Sequence, residues 1–392
     1  MKKIIIVNNN MKVGGVQKSL YNLLWSLDTE REYDVTLLLF RKTGPYADKL
    51  PPGVKIAECS GPFRYLGMSQ SECAGSLKDR LTRGFLAALS RICGRSTVIR
   101  RMLTRELAFT GTYDCAIAYL HNGRREAFYG GVQEYVLERI SAEKKIAFLH
   151  GDYRNCGADH AENRRILEKF DRIAACSDGC REVLVSALPH LAEKCITVRN
   201  CHRYDEIRTM AEDNPPVYDA DAVNVITVSR LTHEKGLERA IEAAACAAEK
   251  GISVRLHIVG SGPMEEKLKE LAMEKGMTQS VFFYGEQTNP YRYMKNADLL
   301  LMTSFHEAAP MVIDEAVSLG IPVLTAETTS SQEMVHGRHC GRVCPNTREG
   351  INEAFCSTAA DREWLKTIKD ALQGKEADNQ TALAQFAAAV DN

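Results

Sequence analysis

Val223-Asn-Val-Ile-Thr-Val-Ser-Arg-Leu-Thr-His-Glu-Lys-Gly-Leu-Glu-Arg-Ala-Ile-Glu-Ala-Ala-Ala-Cys-Ala-Ala-Glu-Lys-Gly-Ile-Ser-Val-Arg-Leu-His-Ile-Val259 is the stretch that decides the fold. Its ends, Val223–Val228 and Ser253–Val259, are short apolar runs rich in β-branched residues, the mark of buried strands. Between them, Leu237–Lys250 reads as a helix. Strand, helix and strand in this length make one βαβ unit of a parallel sheet. The alternation continues toward the C-terminus. It gives a helix at Met264–Lys275, a strand at Val281–Tyr284, a helix near Tyr291–Lys295, a strand at Asp298–Met302, a helix from about Pro310 to Leu319 and a strand at Pro322–Thr325. Together these predict a complete doubly wound sheet.

Toward the N-terminus the pattern breaks at 201–223, which holds Asp213-Asn214-Pro215-Pro216 and few large apolar residues, and reads as a linker. Before it the alternation appears again. Strand Lys3–Val7 leads into a glycine-bearing loop, Met11–Gly15, and a helix with Leu20, Leu23, Leu24 and Leu27. Strands follow at Val35–Phe40, Cys115–Tyr119, Lys145–Leu149 and Arg172–Cys176. The expected fold class is therefore α/β, with two doubly wound Rossmann-like domains at 1–205 and 206–375 facing each other across a cleft. The tail is helical from about Asp361, and its last helix, about 376–392, either caps its own domain or packs back on the first.

A length of 392 residues agrees with two domains, and 45% hydrophobic with 26% charged residues excludes a disordered or fibrous chain. The net charge of −1 conceals an asymmetry. Residues 1–200 hold 31 basic and 22 acidic side chains, and residues 201–392 hold 19 and 29. Nothing in this balance calls for nucleic acid. The thirteen cysteines include no pair at zinc-knuckle spacing. The apolar run at the start is too short for a signal peptide, and no stretch approaches the roughly 20 apolar residues that span a bilayer. The expectation is a cytoplasmic protein with reduced core thiols.

Ligands of open α/β sheets bind beyond the carboxyl ends of the strands, so the loops there carry the search. Ser304-Phe-His-Glu-Ala-Ala-Pro-Met-Val-Ile-Asp-Glu315 follows a buried strand. It places Glu307 in a loop, Pro310 in the first turn of the next helix, and Glu315 inside that helix. The free N–H groups of a first helical turn favour anions, and carboxylates accept hydrogen bonds from sugar hydroxyls. Arg230 and Lys235 share the loop after Val228, where a guanidinium fork and an ammonium suit a diphosphate. Read alone, the two glutamates are solvated carboxylates and the cationic loop a solvated turn.

In order and spacing these pieces resemble glycosyltransferase family 4, the retaining transferases of GT-B fold. The matching pieces are the Gly14-Gly15 loop after the first strand, Arg230 with Lys235-Gly236, and Val259-Gly-Ser-Gly-Pro263. They also include Glu307 with Glu315 ending in Gly320-Ile-Pro-Val323, and Ser177-Asp-Gly-Cys-Arg-Glu followed by Val198-Arg-Asn200. The resemblance implies a hexosyltransferase-type enzyme that moves a sugar, with retention, from a nucleotide-sugar donor, a UDP-sugar by expectation. The acceptor would be a glycan or a lipid-linked molecule in surface polysaccharide or glycolipid synthesis. Arg230 and Lys235 would hold the diphosphate, Glu307 the sugar hydroxyls and Glu315 the ribose. The backbone of Ala309, Pro310, Met311 and Val312 would meet sugar and phosphates. Gly14 and Gly15 would admit the donor closely, and His150 would touch its sugar. Gly260 is counted on the donor side, although Gly260 and Gly262 also shape a turn. The leaving phosphate would take the acceptor's proton, so no separate base is required.

No cofactor is implied, since the nucleotide-sugar is a substrate, and no essential metal. Asp219-Ala-Asp221 has the spacing of a metal motif of another transferase fold but falls in the linker. The sequence departs from the family pattern at Ala308, Ala309 and Gln17. The alternative reading is a non-catalytic nucleotide-sugar-binding partner or sensor on the same fold.

Residues 77–107 hold Lys78, Arg80, Arg83, Arg91, Arg95, Arg100, Arg101 and Arg105 against Asp79 and Glu106, with Leu77, Leu81, Phe85, Leu89 and Ile92 at helical spacing. Two readings stand. One is a helix packed on its own domain with a solvated basic face. The other is a peripheral contact with anionic lipid on the inner face of the plasma membrane.

Overall fold

The computed structural model describes residues 1–27, 32–70, 72–73, 75–373, 375 and 377–391. The chain forms two compact units, residues 1–202 with 379–392, and residues 203–378. The sequence places its boundaries at 205/206 and about 376; residues 376 and 392 themselves lie outside the described residues.

Unit 1 runs β1 (Lys2–Asn8), α1 (Gly15–Ser26), β2 (Tyr33–Leu39), β3 (Lys55–Glu58), α2 (Leu77–Cys93), α3 (Arg95–Leu103), β4 (Thr112–Ala118), α4 (Val132–Arg139), β5 (Ser141–Leu149), α5 (Ala161–Leu167), β6 (Arg172–Ala175), α6 (Asp178–Ala187) and β7 (Cys195–Thr197). Its seven strands are all parallel, in the order β3-β2-β1-β4-β5-β6-β7. Side chains alternate across a strand. Ile5 and Val7 thus enter the core on one face, with Phe40, Phe63 and Tyr135, while Ile4 and Ile6 enter the other with Leu20 and Leu24. Both faces are covered, which is why β1 reads as an unbroken apolar run.

Unit 2 runs α7 (Tyr204–Ala211), β8 (Val223–Val228), α8 (Leu237–Glu249), β9 (Val254–Val259), α9 (Glu265–Glu274), β10 (Val281–Phe283), α10 (Tyr291–Met294), β11 (Leu299–Met302), α11 (Met311–Ser318), β12 (Val323–Ala326), β13 (Gly341–Cys344), α12 (Arg348–Ala360) and α13 (Arg362–Gln373). Its six parallel strands follow the order β10-β9-β8-β11-β12-β13. The same alternation sends Leu299 and Leu301 to one core, Leu300 and Met302 to the other.

Three expectations change. The linker reading of 201–223 holds only in part, because α7 occupies 204–211. Ile207 and Ala211, one helical turn apart, are buried in the unit 2 core. The basic segment is two helices, not one: α2 stops at Gly94, whose φ of +82° favours glycine. Arg95 then turns inward, fully buried, with Glu134 at 2.6 Å and Asn122 and Asn163 as further acceptors. It belongs to the core, not to a basic surface.

The last helix, α14 (Gln380–Asp391), packs on unit 1. Ala382, Phe386, Ala389 and Val390 form one stripe in the core beside Tyr33 and Phe148. Lys2 and Lys144 each donate to the Val390 carbonyl at 3.1 Å, placing two cations at the helix C-terminus where its dipole favours them. Among the described residues no helix is long and apolar enough to cross a membrane. All thirteen cysteines are free thiols, and most are buried.

Candidate active site

Strand order reverses once in each sheet, between β1 and β4 in unit 1 and between β8 and β11 in unit 2. In open parallel sheets that switch point is where ligands bind. In unit 2 the loop after β8 carries Arg230 and Lys235, and the loop after β11 carries Glu307. The topology therefore brings together residues that lie more than 70 positions apart.

The two loops are stitched by their backbones. Phe305 N donates to Glu234 O at 2.9 Å, Thr303 Oγ1 donates to Gly236 O at 2.9 Å, and the His233 and Phe305 rings stack at 5.3 Å. Gly236 lies in the left-handed region, φ +59°, and a Cβ there would strike Thr303 O. With this seam closed, Lys235 Nζ reaches Glu307 Oε1 at 2.7 Å, and Ser304 Oγ donates to the same oxygen at 2.6 Å. The side chains of Lys235 and Glu307 are only 19% and 11% exposed. Water screens such a pair weakly, so each charge fixes the other.

Arg230 is more open and pairs with Glu234 at 3.2 Å on its own loop. Gly260 (φ +137°) is required by the packing of the turn, since a Cβ would collide with Ser229 O, and one at Gly262 would collide with Leu231 O. These glycines let the turn after β9 lie against the Arg230 loop, where Leu231 N donates to Ser261 O at 2.8 Å. Pro310 stands at the N-cap of α11, one residue before the first turn that the sequence suggested. Ala309 immediately precedes it, and Met311 and Val312 open the helix. Glu315 is 3% exposed within α11. Asp219 is held by Arg255 at 2.8 Å and accepts from Asp221 N at 3.0 Å, so Asp219-Ala-Asp221 forms a turn. Among the described residues no three His, Cys, Asp or Glu side chains are grouped to hold a metal ion.

Two residues escaped the sequence reading. Arg239 on α8 is buried, donates to Asn346 Oδ1 at 2.6 Å and to Thr303 O, and lies 3.9 Å over the Phe305 ring. Asn346 Nδ2 in turn reaches the carbonyls of Ser304, Phe305 and Glu327 at 3.3, 3.2 and 2.8 Å. The pair pins the backbone on which Glu307 rides. An arginine inside an otherwise alanine-rich helix is the one local signal for it.

In unit 1 the switch-point loops carry Gly14 and Gly15 after β1 and His121 after β4, with His150 ending the adjacent β5. Gly15 has open space where a Cβ would go, and Gly14 meets only the flexible end of Gln17. Neither glycine is required by the packing of unit 1. The His150 ring lies tilted against Tyr119, with centroids 4.5 Å apart, and stacks on Phe148 at 5.9 Å. Its Nε2 and His121 Nδ1 are buried without a hydrogen-bond partner among the described residues. Burial, and for His150 also its neighbour His121, lowers the two imidazoles to about 3 and about 4, so both are neutral at pH 7. His121 was not singled out, although it follows its strand as His150 follows β5.

Two doubly wound parallel sheets, the second presenting a cationic loop against a carboxylate loop at its switch point, form the GT-B architecture. Comparison with known proteins agrees. Residues 212–373 match the family model of glycosyl transferases group 1. The lipopolysaccharide glucosyltransferase WaaG of Escherichia coli K12 is 33% identical over 123 residues, 31% of this chain and 33% of that protein. The lipopolysaccharide 1,6-galactosyltransferase of Salmonella typhimurium LT2 is 31% identical over 176 residues, 44% of this chain and 47% of that protein. The chain spans about a third to a half of the length of the curated relatives it matches. Among solved structures, Anabaena HepE in complex with UDP and glucose gives a TM-score of 0.68 at 18% identity, covering 100% of both chains, and shares the fold.

Proposed function

We propose that this protein is a retaining glycosyltransferase of family 4 type that moves a hexose from a nucleotide-sugar, a UDP-sugar by preference, to a glycan or lipid-linked acceptor in surface polysaccharide or glycolipid synthesis. The observation that carries the reading is the Lys235–Glu307 pair at the unit 2 switch point, with Arg230 on the same loop. A diphosphate brings more negative charge than one carboxylate, so it competes for Lys235 and draws in Arg230. Glu307 then turns its oxygens to the sugar hydroxyls. As the glycosidic bond to phosphate breaks, the two cations offset the charge that develops on the leaving group. The departing phosphate oxygen takes the acceptor's proton on the same face, which accounts for retention.

Glu315 takes the ribose hydroxyls, and the backbone from Ala309 to Val312, which leads into the first turn of α11, meets the sugar and phosphates. Gly260 supports the Arg230 loop. His150, Gly14 and Gly15 keep the sugar-contacting and close-approach roles that the resemblance implies. The names of the relatives support the setting: two are lipopolysaccharide transferases by name, and a structural neighbour holds UDP and glucose. With the cationic loop offsetting the charge, no metal or cofactor is assigned, and transfer is expected to persist in EDTA.

A thermal-shift screen against nucleotide-sugars, followed by slow donor hydrolysis, tests the proposal. A stabilising donor that is hydrolysed by the native chain but not by Glu307→Gln supports it. A donor bound but never hydrolysed or transferred would make the protein a nucleotide-sugar-binding partner or sensor instead.

A further inference from the structure

The helix α2 has two apolar faces, and only one of them is covered. On the inward side Leu86 and Leu89 pack against the unit 1 core and Ser90 is buried. Asp79 accepts from Arg64 and from Tyr65, both at 2.8 Å, and Arg83 Nε donates to Met68 O at 2.7 Å. These contacts fix the rotation of the helix. The outward side presents Leu77, Leu81, Phe85, Ala88 and Ile92. At 3.6 residues per turn these five fall within about 80° of arc. Leu77 and Leu81 are each 63% exposed, Phe85 66% and Ile92 81%. On the same wheel Lys78 borders the stripe on one side, and Arg80 and Arg91 border it on the other. All three are exposed, and among the described residues none forms an ion pair with a carboxylate.

Isolated exposed apolar side chains are ordinary, but a continuous stripe of four large ones marks an interaction surface. The charge on its margins selects the partner. Cations along both long edges of an apolar helical face fit a surface with anionic groups above and hydrocarbon below. A water-soluble partner offers no reason for that layering. The nearby acids add no balancing negative charge, because Asp79 is held by Arg64 and Glu106 is buried. We propose that the outward face of α2 docks on an anionic lipid bilayer. The helix lies in the plane of the interface, with Leu77, Leu81, Phe85 and Ile92 at the acyl boundary and Lys78, Arg80 and Arg91 at the headgroup phosphates. The apolar residues decide between the two readings of the basic segment: a helix that merely packed on its domain would have turned them inward. The inference rests on α2 alone and does not depend on the proposed sugar transfer.

The test is flotation of the full chain with vesicles of phosphatidylcholine alone, or of phosphatidylcholine with one third phosphatidylglycerol. Binding to the anionic vesicles, weak binding to the neutral ones and loss of binding at high salt are expected. Leu81→Ser with Phe85→Ser should weaken binding about tenfold or more. Lys78→Gln, Arg80→Gln and Arg91→Gln together should cost about fivefold per charge. Both variants change exposed side chains, so melting temperature and hydrolysis of a soluble donor should stay at native values. Equal binding to both vesicle types, or binding to neither, overturns the proposal. So does a native dimer in sedimentation velocity that Leu81→Ser with Phe85→Ser dissolves, because a second copy then covers the stripe. Vesicle binding without any donor hydrolysis leaves this inference standing and overturns the proposed function instead.

Discussion

The two switch points of this molecule share a topology and differ in material. In unit 2 the loops after β8 and β11 are cross-linked by charge, with Lys235 on Glu307 and Arg239 on Thr303 and Asn346. In unit 1 the groups buried at the corresponding strand ends and loops are neutral: two imidazoles held unprotonated by burial, a tyrosine, and the amides of Asn8, Asn9 and Asn10, while the charges of these loops, such as Lys12 paired with Glu72, stand further out. The same fold thus supports two kinds of recognition. A pre-paired cation and carboxylate suit a ligand that brings both phosphate and hydroxyls. Neutral rings and amides suit hydroxyls alone, since they donate and accept without attracting an anion.

The largest effect that would sharpen this contrast is chemical. Glu307→Gln keeps the side-chain volume but removes the carboxylate, and transfer should fall about 10²–10³-fold, read as product formed per time. Retained turnover would remove Glu307 from the site. Next comes stability. Lys235→Met should destabilise unit 2 by about 3 kcal/mol by leaving Glu307 uncompensated in a mostly buried place. The double variant Lys235→Met with Glu307→Leu should recover most of that loss. Urea denaturation of the two singles and the double decides the matter, and strict additivity would mean the pair contributes no coupling.

A smaller effect is expected from the support beneath the loop. Asn346→Ala should lower kcat about tenfold with little change in donor KM, because it frees the backbone that aims Glu307 without touching Arg230 or Lys235. A matched fall in both, or none, would show that the pin is only structural. Absent at neutral pH, and growing only as the solution is acidified, is the pH dependence that unit 1 owes to its imidazoles. His121 and His150 titrate near 4 and near 3 when folded, against about 6.5 when unfolded. Between those values the unfolded chain binds more protons, so stability falls as pH drops below about 6.5 and levels off only near the folded values. His121→Gln should flatten that slope by close to one proton in acid denaturation monitored between pH 6.5 and 4. An unchanged slope would mean His121 is already charged, and the contrast between the two switch points would narrow.

Much of the fold was legible before any coordinate. Both sheets are covered on both faces, so strands such as Ile4–Val7 and Leu299–Met302 show as unbroken apolar runs, and the helices between them show their period. Several of the elements that escaped are short or edge-placed. β7 and β13 span three and four residues, β3 is largely exposed, and α7 is two turns long and fully buries only Ile207 and Ala211. None of them buries enough apolar surface to print a pattern on the chain. The loop positions of Arg230, Lys235, Glu307 and His150 could be read because each follows a readable strand. His121 follows one too, but a single histidine carries no spacing to notice.

By itself, then, the sequence determined which central, buried segments are strands, that two parallel sheets form, and which loops leave their carboxyl ends, because those features come from local apolar period and from turn residues. The tertiary structure alone decided the rest. It showed that Lys235 and Glu307 meet, because strand order and not chain order makes their loops neighbours. It turned Arg95 inward and Leu81 outward, because the rotation of a helix depends on what it packs against. And it placed α14 on unit 1, where Phe386 packs against Tyr33 and Phe148, each more than 200 positions earlier, a contact that no local pattern encodes.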